Sequence, residues 1–139
     1  MSEPAAGPWR LLIPAPVAWI NANDRGHWRP RAVLIAEWRR AGAIYARQAK
    51  LPRIPAPVEV TGFVHRLDNR RADAQNVYPT VKAVIDGLVD HGVLDDDSNE
   101  YVTAVVMRPG PKVLPRDYPR GLLTLDITLS SFQEVPDAT

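Results

Sequence analysis

The chain has 139 residues and no cysteine, and its seventeen Lys and Arg against sixteen Asp and Glu give a formal charge of +1. That length suits one domain with a core of its own, so a single domain is expected over 1–139, with flexible ends at about 1–8 and 134–139. The lack of cysteine excludes thiolate catalysis, zinc–thiolate sites and disulfides, and no apolar run approaches the ~20 residues of a membrane span or the layout of a signal peptide, so a soluble cytoplasmic protein is expected.

In chain order, Trp9-Arg10-Leu11-Leu12-Ile13-Pro14 predicts a short strand, stopped by Pro14 and Pro16 because proline cannot donate to a sheet ladder. A loop from about Asn21 to Pro30 follows, with Arg25, Arg29 and Arg31 spaced along it. From Arg31 to about Lys50, Leu34, Trp38, Ala41 and Tyr45 recur at the helical period, while another face carries Arg40, Arg47 and Lys50. The alternation of Val58, Val60 and Val64 predicts a strand over Val58 to His65, with Asp68-Asn69-Arg70-Arg71 as its turn or extension.

A second helix is the clearest element, with Val77, Val81, Val84, Ile85, Leu88 and Val89 on one stripe. Asn76 is the expected N-cap, Pro79 falls in the first turn where its missing N–H costs no hydrogen bond, and Gly92 is the expected stop. Two later runs, Val102 to Met107 and Leu122 to Leu129, read as strands joined by a Pro- and Gly-rich connection. The order β-α-β-α-β-β predicts an α+β fold: a mixed sheet of about four strands with two main helices.

The near-neutral total hides a segregation of charge. Residues 1–71 carry twelve basic and five acidic side chains, residues 72–102 carry seven acidic ones and a single basic one, Lys82, and residues 103–139 balance. Basic flanks around an acidic centre suit a polyanion held on arginines while carboxylates fix a cation at the point of chemistry; two ordinary solvated surfaces are the plain alternative.

The acidic residues gather in Asp73-Ala74-Gln75-Asn76 and in Asp95-Asp96-Asp97-Ser98. Hydrolysis of a phosphodiester needs charge neutralisation on the phosphate and an activated water, and a hard cation held by carboxylates from different elements supplies both. Lys82, with Tyr78 and Asp86 four residues to either side, either holds a phosphate or pairs with Asp86 on the surface. His65 and His91 form no recognised metal motif.

Taken together, Arg70-Arg71-Ala72-Asp73-Ala74-Gln75-Asn76, then Lys82 and Asp86, then Gly92-Val93-Leu94-Asp95-Asp96-Asp97-Ser98, resemble the RusA-type Holliday junction resolvases. These are small dimeric endonucleases often encoded by phages and prophages, and the resemblance covers most of the chain. It implies a RusA-like homodimer in a bacterial cytoplasm that resolves four-way DNA junctions by paired symmetric nicks in recombination and repair. It also implies magnesium, with manganese as a possible substitute, at Asp73, Asp96, Asp97 and the position of Gln75, and a supporting role in cleavage for Lys82.

Two positions depart from the family pattern. Gln75 stands where the family has its second aspartate, and Pro79 stands where the most familiar family lysine lies, with Lys82 one helical turn further on. A glutamine oxygen can ligate a metal but brings no charge and cannot act as a base, so Asp95 or Glu100 would have to make up the ligand set.

Three readings follow. In the first, an active resolvase uses Asp73, Asp96, Asp97 and Lys82 in catalysis and grips DNA with Arg70, Arg71, Arg40, Arg47, Lys50, Arg25 and Arg29. In the second, the same fold binds branched DNA but has weakened or lost hydrolysis through Gln75. In the third, a single-stranded nucleic-acid or protein-binding module stacks its partner on Trp19, Trp28 and Trp38, although Trp38 lies on the apolar helix stripe and is expected in the core.

Overall fold

A computed structural model of the chain describes residues 7–22, 30–68 and 73–130. The expected flexible ends lie outside them, apart from Gly7 and Pro8. The fold is α+β. In chain order it contains β1 (Trp9–Pro14), α1 (Arg31–Gln48), β2 (Val58–His65), a 3-10 turn (Ala74–Val77), α2 (Tyr78–His91), β3 (Val102–Pro109) and β4 (Leu122–Leu129).

The four strands form one mixed sheet in the order β1-β4-β2-β3. β4 lies antiparallel to both β1 and β2, with Leu11 opposite Leu125 and Val60 opposite Ile127. β2 and β3 are parallel, so the chain between them must cross from one end of the sheet to the other. That crossover is the 3-10 turn and α2. β3 and β4, consecutive in sequence, are not neighbours: β2 separates β3 from β4.

One face of the sheet carries the core. Leu11 and Ile13 of β1, Val58, Val60 and Val64 of β2, Met107 of β3, and Leu123, Leu125 and Ile127 of β4 are all buried, with strict period-two alternation in β2 and burial on both faces at the start of β4. Full burial of such a side chain is worth about 1.5–3 kcal/mol against exposure. Leu34, Trp38, Ala41 and Ala46 of α1 and Val81, Val84, Ile85 and Leu88 of α2 complete the core. Trp38 is fully buried, as its place on the apolar stripe predicts, and its indole N–H donates to the carbonyl of Ala18 at 2.9 Å. On the opposite sheet face, Leu12 and Val106 are exposed, and Arg10 makes a two-pronged pair with Asp126 at 2.7 and 2.8 Å.

Two helix boundaries differ from the sequence reading. Asn76 does not cap α2, because Asp73 begins the turn three residues earlier: its Oδ1 accepts from the backbone N–H of Gln75 at 3.0 Å, and Asn76 then sits inside the 3-10 turn. The residue before α2 is Val77, which offers no side-chain cap, and Pro79 occupies the first turn as expected. α1 stops at Gln48, followed by Ala49 and by Lys50 in a left-handed conformation (φ 55°) that breaks the helical run. At the other end of α2, Gly92 takes φ 87° and closes the helix as the sequence predicts.

The helices approach closely because glycines face each other's backbones. A Cβ on Gly87 of α2 would lie 2.0 Å from the carbonyl oxygen of Arg39, and one on Gly42 of α1 would lie 2.7 Å from that of Val84. Helix propensity alone favours alanine at such positions by about 1 kcal/mol. Contact with rigid backbone reverses the sign. Gly87→Ala is expected to destabilise the fold by about 1–3 kcal/mol in urea unfolding; a stabilised variant would mean that the two helices lie further apart.

Candidate functional site

α2 turns its apolar stripe to the sheet and leaves Lys82 and Asp86, one turn apart, on its polar side. The Lys82 Nζ donates to Asp86 Oδ1 at 3.0 Å and also to Oδ2 of Asp97. Asp97 comes from the connection after α2. Lys82 lies nine residues before the end of that helix, roughly 13 Å along its axis. The connection therefore folds back beside the helix to bring Asp97 to Lys82.

Several contacts hold this connection in place. The N–H of Val93 donates to the Leu88 carbonyl at 3.0 Å, and that of Ile54 donates to the Val93 carbonyl at 2.8 Å. Arg53 grips the carboxylate of Asp95 through Nε at 2.9 Å and Nη2 at 2.8 Å. Tyr101 donates its hydroxyl to the Ile54 carbonyl. Asp96 turns its Oδ1 to the backbone N–H of Asp97 at 2.8 Å, an aspartate fixing its own turn. The segment 53–54 thus serves as a fixed edge against which the acidic turn is set.

The Lys82 hydrogen bond, with its charge, holds the Asp97 carboxyl below its ordinary 3.8. Partial burial works against the Lys82 ammonium, yet its hydrogen bonds to Asp97 and Asp86 outweigh it and raise the pKa above the ordinary 10.5. The contact therefore contributes fully to stability between those two ordinary values. It fades as pH falls through the lowered value of Asp97 or rises through the raised value of Lys82. Both side chains are about two-fifths exposed, so water screens the pair and the contribution is modest.

The other predicted residues are placed as follows. Asp73 and Gln75 are exposed at the 3-10 turn, joined by the cap described above. Asp96 is exposed beside Asp97, while Asp95 is committed to Arg53. Arg40, Arg47 and Lys50 are exposed and make no ion pair among the described residues. Arg25, Arg29, Arg70, Arg71 and Trp28 lie outside the described residues. Among the described residues no three His, Asp or Glu side chains gather into a metal-ligating group. In donor chemistry, the carboxylates of Asp73, Asp96 and Asp97 and the amide oxygen of Gln75 are hard oxygens of the kind magnesium takes.

Sequence reasoning anticipated the Lys82–Asp86 pair but not Asp97 as its third member, nor Arg53 as the clamp on Asp95. No periodicity links Arg53 to a carboxylate 42 residues away. The chain matches no protein-family model and no curated protein. Among the described residues, no helix is long and apolar enough to cross a membrane.

Replacing Lys82 with Met keeps the length of the side chain and removes its charge. In Lys82→Met the carboxyl of Asp97 is expected to titrate closer to 3.8 than in the unaltered protein, as read by carboxyl NMR. Identical titration curves would show that the contact is absent in solution.

Proposed function

We propose that the chain is a magnesium-dependent endodeoxyribonuclease that acts as a homodimer on branched DNA, nicking two opposing strands of a four-way junction. The resemblance of its acidic motifs to the RusA-type resolvases supports this reading. So does one contact, that of Lys82 with Asp97, because it joins the helix lysine to the later acidic motif across the intervening chain. A functional lysine and a carboxylate acting on one phosphate need that proximity.

In this reading Asp73, Asp96 and Asp97, with the amide oxygen of Gln75, would hold the metal, whose binding would have to draw them together, since among the described residues no three such side chains gather. Bound magnesium supplies charge neutralisation on the phosphate and an acidified water. Lys82 carries its ammonium to the scissile phosphate, a role for which its partial exposure leaves room. Arg40 and Arg47 of α1 and the adjoining Lys50 meet backbone phosphates through charge, with Arg70, Arg71, Arg25 and Arg29 as further contacts. Two cuts on opposing strands need two such sites, hence the dimer.

A second reading, a branched-DNA binding protein without hydrolysis, has its own observation. Each carboxylate of the two motifs is in local use: Asp73 caps a turn, Asp95 pairs with Arg53, Asp96 holds a backbone N–H and Asp97 pairs with Lys82. Gln75 brings no charge to replace them.

A synthetic mobile four-way junction separates the two, run on a denaturing gel with magnesium, with manganese and with chelator, beside a gel shift. Paired, metal-dependent nicks are the expected outcome, and tight binding without nicks in either metal selects the second reading. Asp73→Asn is expected to abolish cutting, a larger loss than the roughly 10–100-fold that removal of a partner behind a metal ligand brings, with junction binding kept. Unchanged cutting in that variant would remove the metal-site assignment. Gln75→Asp is expected to increase cutting if hydrolysis has decayed at that position. Arg47→Ala is expected to reduce the slope of log affinity against log salt by about one, as loss of one phosphate contact does.

A further inference from the structure

A cavity of about 210 Å³ lies at the C-terminal end of β2 and is lined by Trp19, His65, Arg66, Leu67, Asp68 and Arg120. The metal and DNA-backbone roles proposed above use none of these residues. Three separate parts of the chain build it: the segment after β1, the end of β2, and the connection from β3 to β4.

Its walls are fixed in advance. The Trp19 indole N–H donates to the Arg120 carbonyl at 2.7 Å, and its ring rests on the buried Trp38 with centroids 4.9 Å apart. His65 Nδ1 lies 2.8 Å from the Pro111 carbonyl, an acceptor only, so Nδ1 carries a proton; Nε2 lies 2.9 Å from the Thr124 hydroxyl. Both ring nitrogens are thereby engaged, and the imidazole is a wall rather than a free acid or base. The Arg66 backbone is held by its carbonyl, which accepts from the N–H of Val113 at 2.9 Å. Neither Arg66 nor Arg120 makes an ion pair among the described residues.

An indole beside two arginines offers a π surface and, through their guanidinium groups, phosphate donors, the pairing that binds a base with its backbone. The volume lies below the ~300 Å³ at which pockets for drug-sized ligands begin, which suits one base and not two. The position fits as well. Asp68 and Asp73 bound the same short stretch of chain, and the Trp19 segment is tied to the start of α2 by Ile20 N–H to Thr80 Oγ1 at 2.8 Å and Ala22 N–H to the Asn76 carbonyl at 2.7 Å.

We propose that this cavity receives one unpaired nucleotide of a DNA strand, its base against Trp19 and its flanking phosphates on Arg66 and Arg120. The proposal rests on the branched-DNA reading for its source of the strand. A base beside the branch point costs less to unpair than one inside a continuous duplex, and a protein that seats it gains affinity that paired DNA does not give.

The test is fluorescence anisotropy in chelator, so that no cutting intervenes, on an intact duplex, a duplex with one bulged nucleotide, and the same bulge made abasic. The protein is expected to bind the bulge about ten-fold tighter than the intact duplex and to lose most of that gain with the abasic bulge, within the range that base–aromatic stacking gives. Trp19→Ala removes the partner of Trp38 and risks the fold. Arg66→Ala combined with Arg120→Ala is therefore the informative variant, expected to remove most of the preference, while Trp19→Phe keeps it.

Equal affinity for the base-bearing and abasic bulges would overturn the pocket alone, with the DNA reading left standing. Absence of binding to any duplex or junction would overturn both. Saturable binding of deoxyadenosine monophosphate with no gain for the bulge would assign the cavity to a free nucleotide and overturn the proposal.

Discussion

The parallel pairing of β2 with β3 is the constraint on which the rest of the structure depends. Parallel neighbours cannot be joined by a tight hairpin, so the chain must leave one end of the sheet and return at the other. The 3-10 turn and α2 make that passage, and α2 must bury its apolar stripe on the sheet to do so. α1 then packs against α2 at a separation set by backbone contact at Gly42 and Gly87. Thr80 fastens the segment after β1 to the same helix: fully buried, its hydroxyl accepts from Ile20 N–H at 2.8 Å and donates to the Ile20 carbonyl at 3.0 Å. Losing that hydroxyl would strand two buried backbone groups, each far costlier unpaired than one exposed to water. The acidic motifs lie in the two connections of this crossover, one before α2 and one after it. Their relative placement is therefore a property of the β-α-β unit.

The charge segregation along the sequence takes on a further meaning in three dimensions. Two carboxylates of the acidic centre pair with arginines of the basic segment: Arg39 with Asp90 at 2.5 and 2.7 Å, and Arg53 with Asp95. The first pair bridges α1 to α2; the second holds the acidic turn. Each is exposed and two-pronged, so it fixes geometry more than it stabilises the fold. Among the described residues Arg40, Arg47 and Lys50 remain outside these pairs, and on the proposed reading they are among the charges that a DNA backbone meets. The basic and acidic blocks are thus partly each other's partners and partly a surface.

Strands and helices were legible because each carries its own period. Val58, Val60 and Val64 alternate, and Val81, Val84, Ile85 and Leu88 repeat at the helical spacing, and both sets are buried where those periods put them. The start of α2 is not legible because two residues with N-cap chemistry, Asp73 and Asn76, stand three apart, and propensity does not say which turn forms first. Strand order was not legible, since β4 enters between β1 and β2 through contacts spanning most of the chain. The same holds for the candidate site. The Lys82–Asp86 pair follows from helical spacing, whereas Asp97 and Arg53 reach their partners only through the way the connection after α2 folds back.

That fold-back gives Lys82 a particular electrostatic position. It is the single basic residue between 72 and 102, and its ammonium already bridges two of the seven acidic side chains there. The triad of Lys82, Asp86 and Asp97 carries a net charge of −1, so the ammonium fills the role of a monovalent cation among the carboxylates. On the proposed reading, a divalent ion drawing on Asp97 competes with that ammonium for the same oxygens. Lys82 sits at the surface on a flexible four-carbon stem, free to exchange a carboxylate for a phosphate at little cost in packing. A more deeply buried lysine could not make that exchange, because leaving its partner would strand a charge in the core. The exposure that limits what the pair adds to stability is the property that a role on the substrate requires.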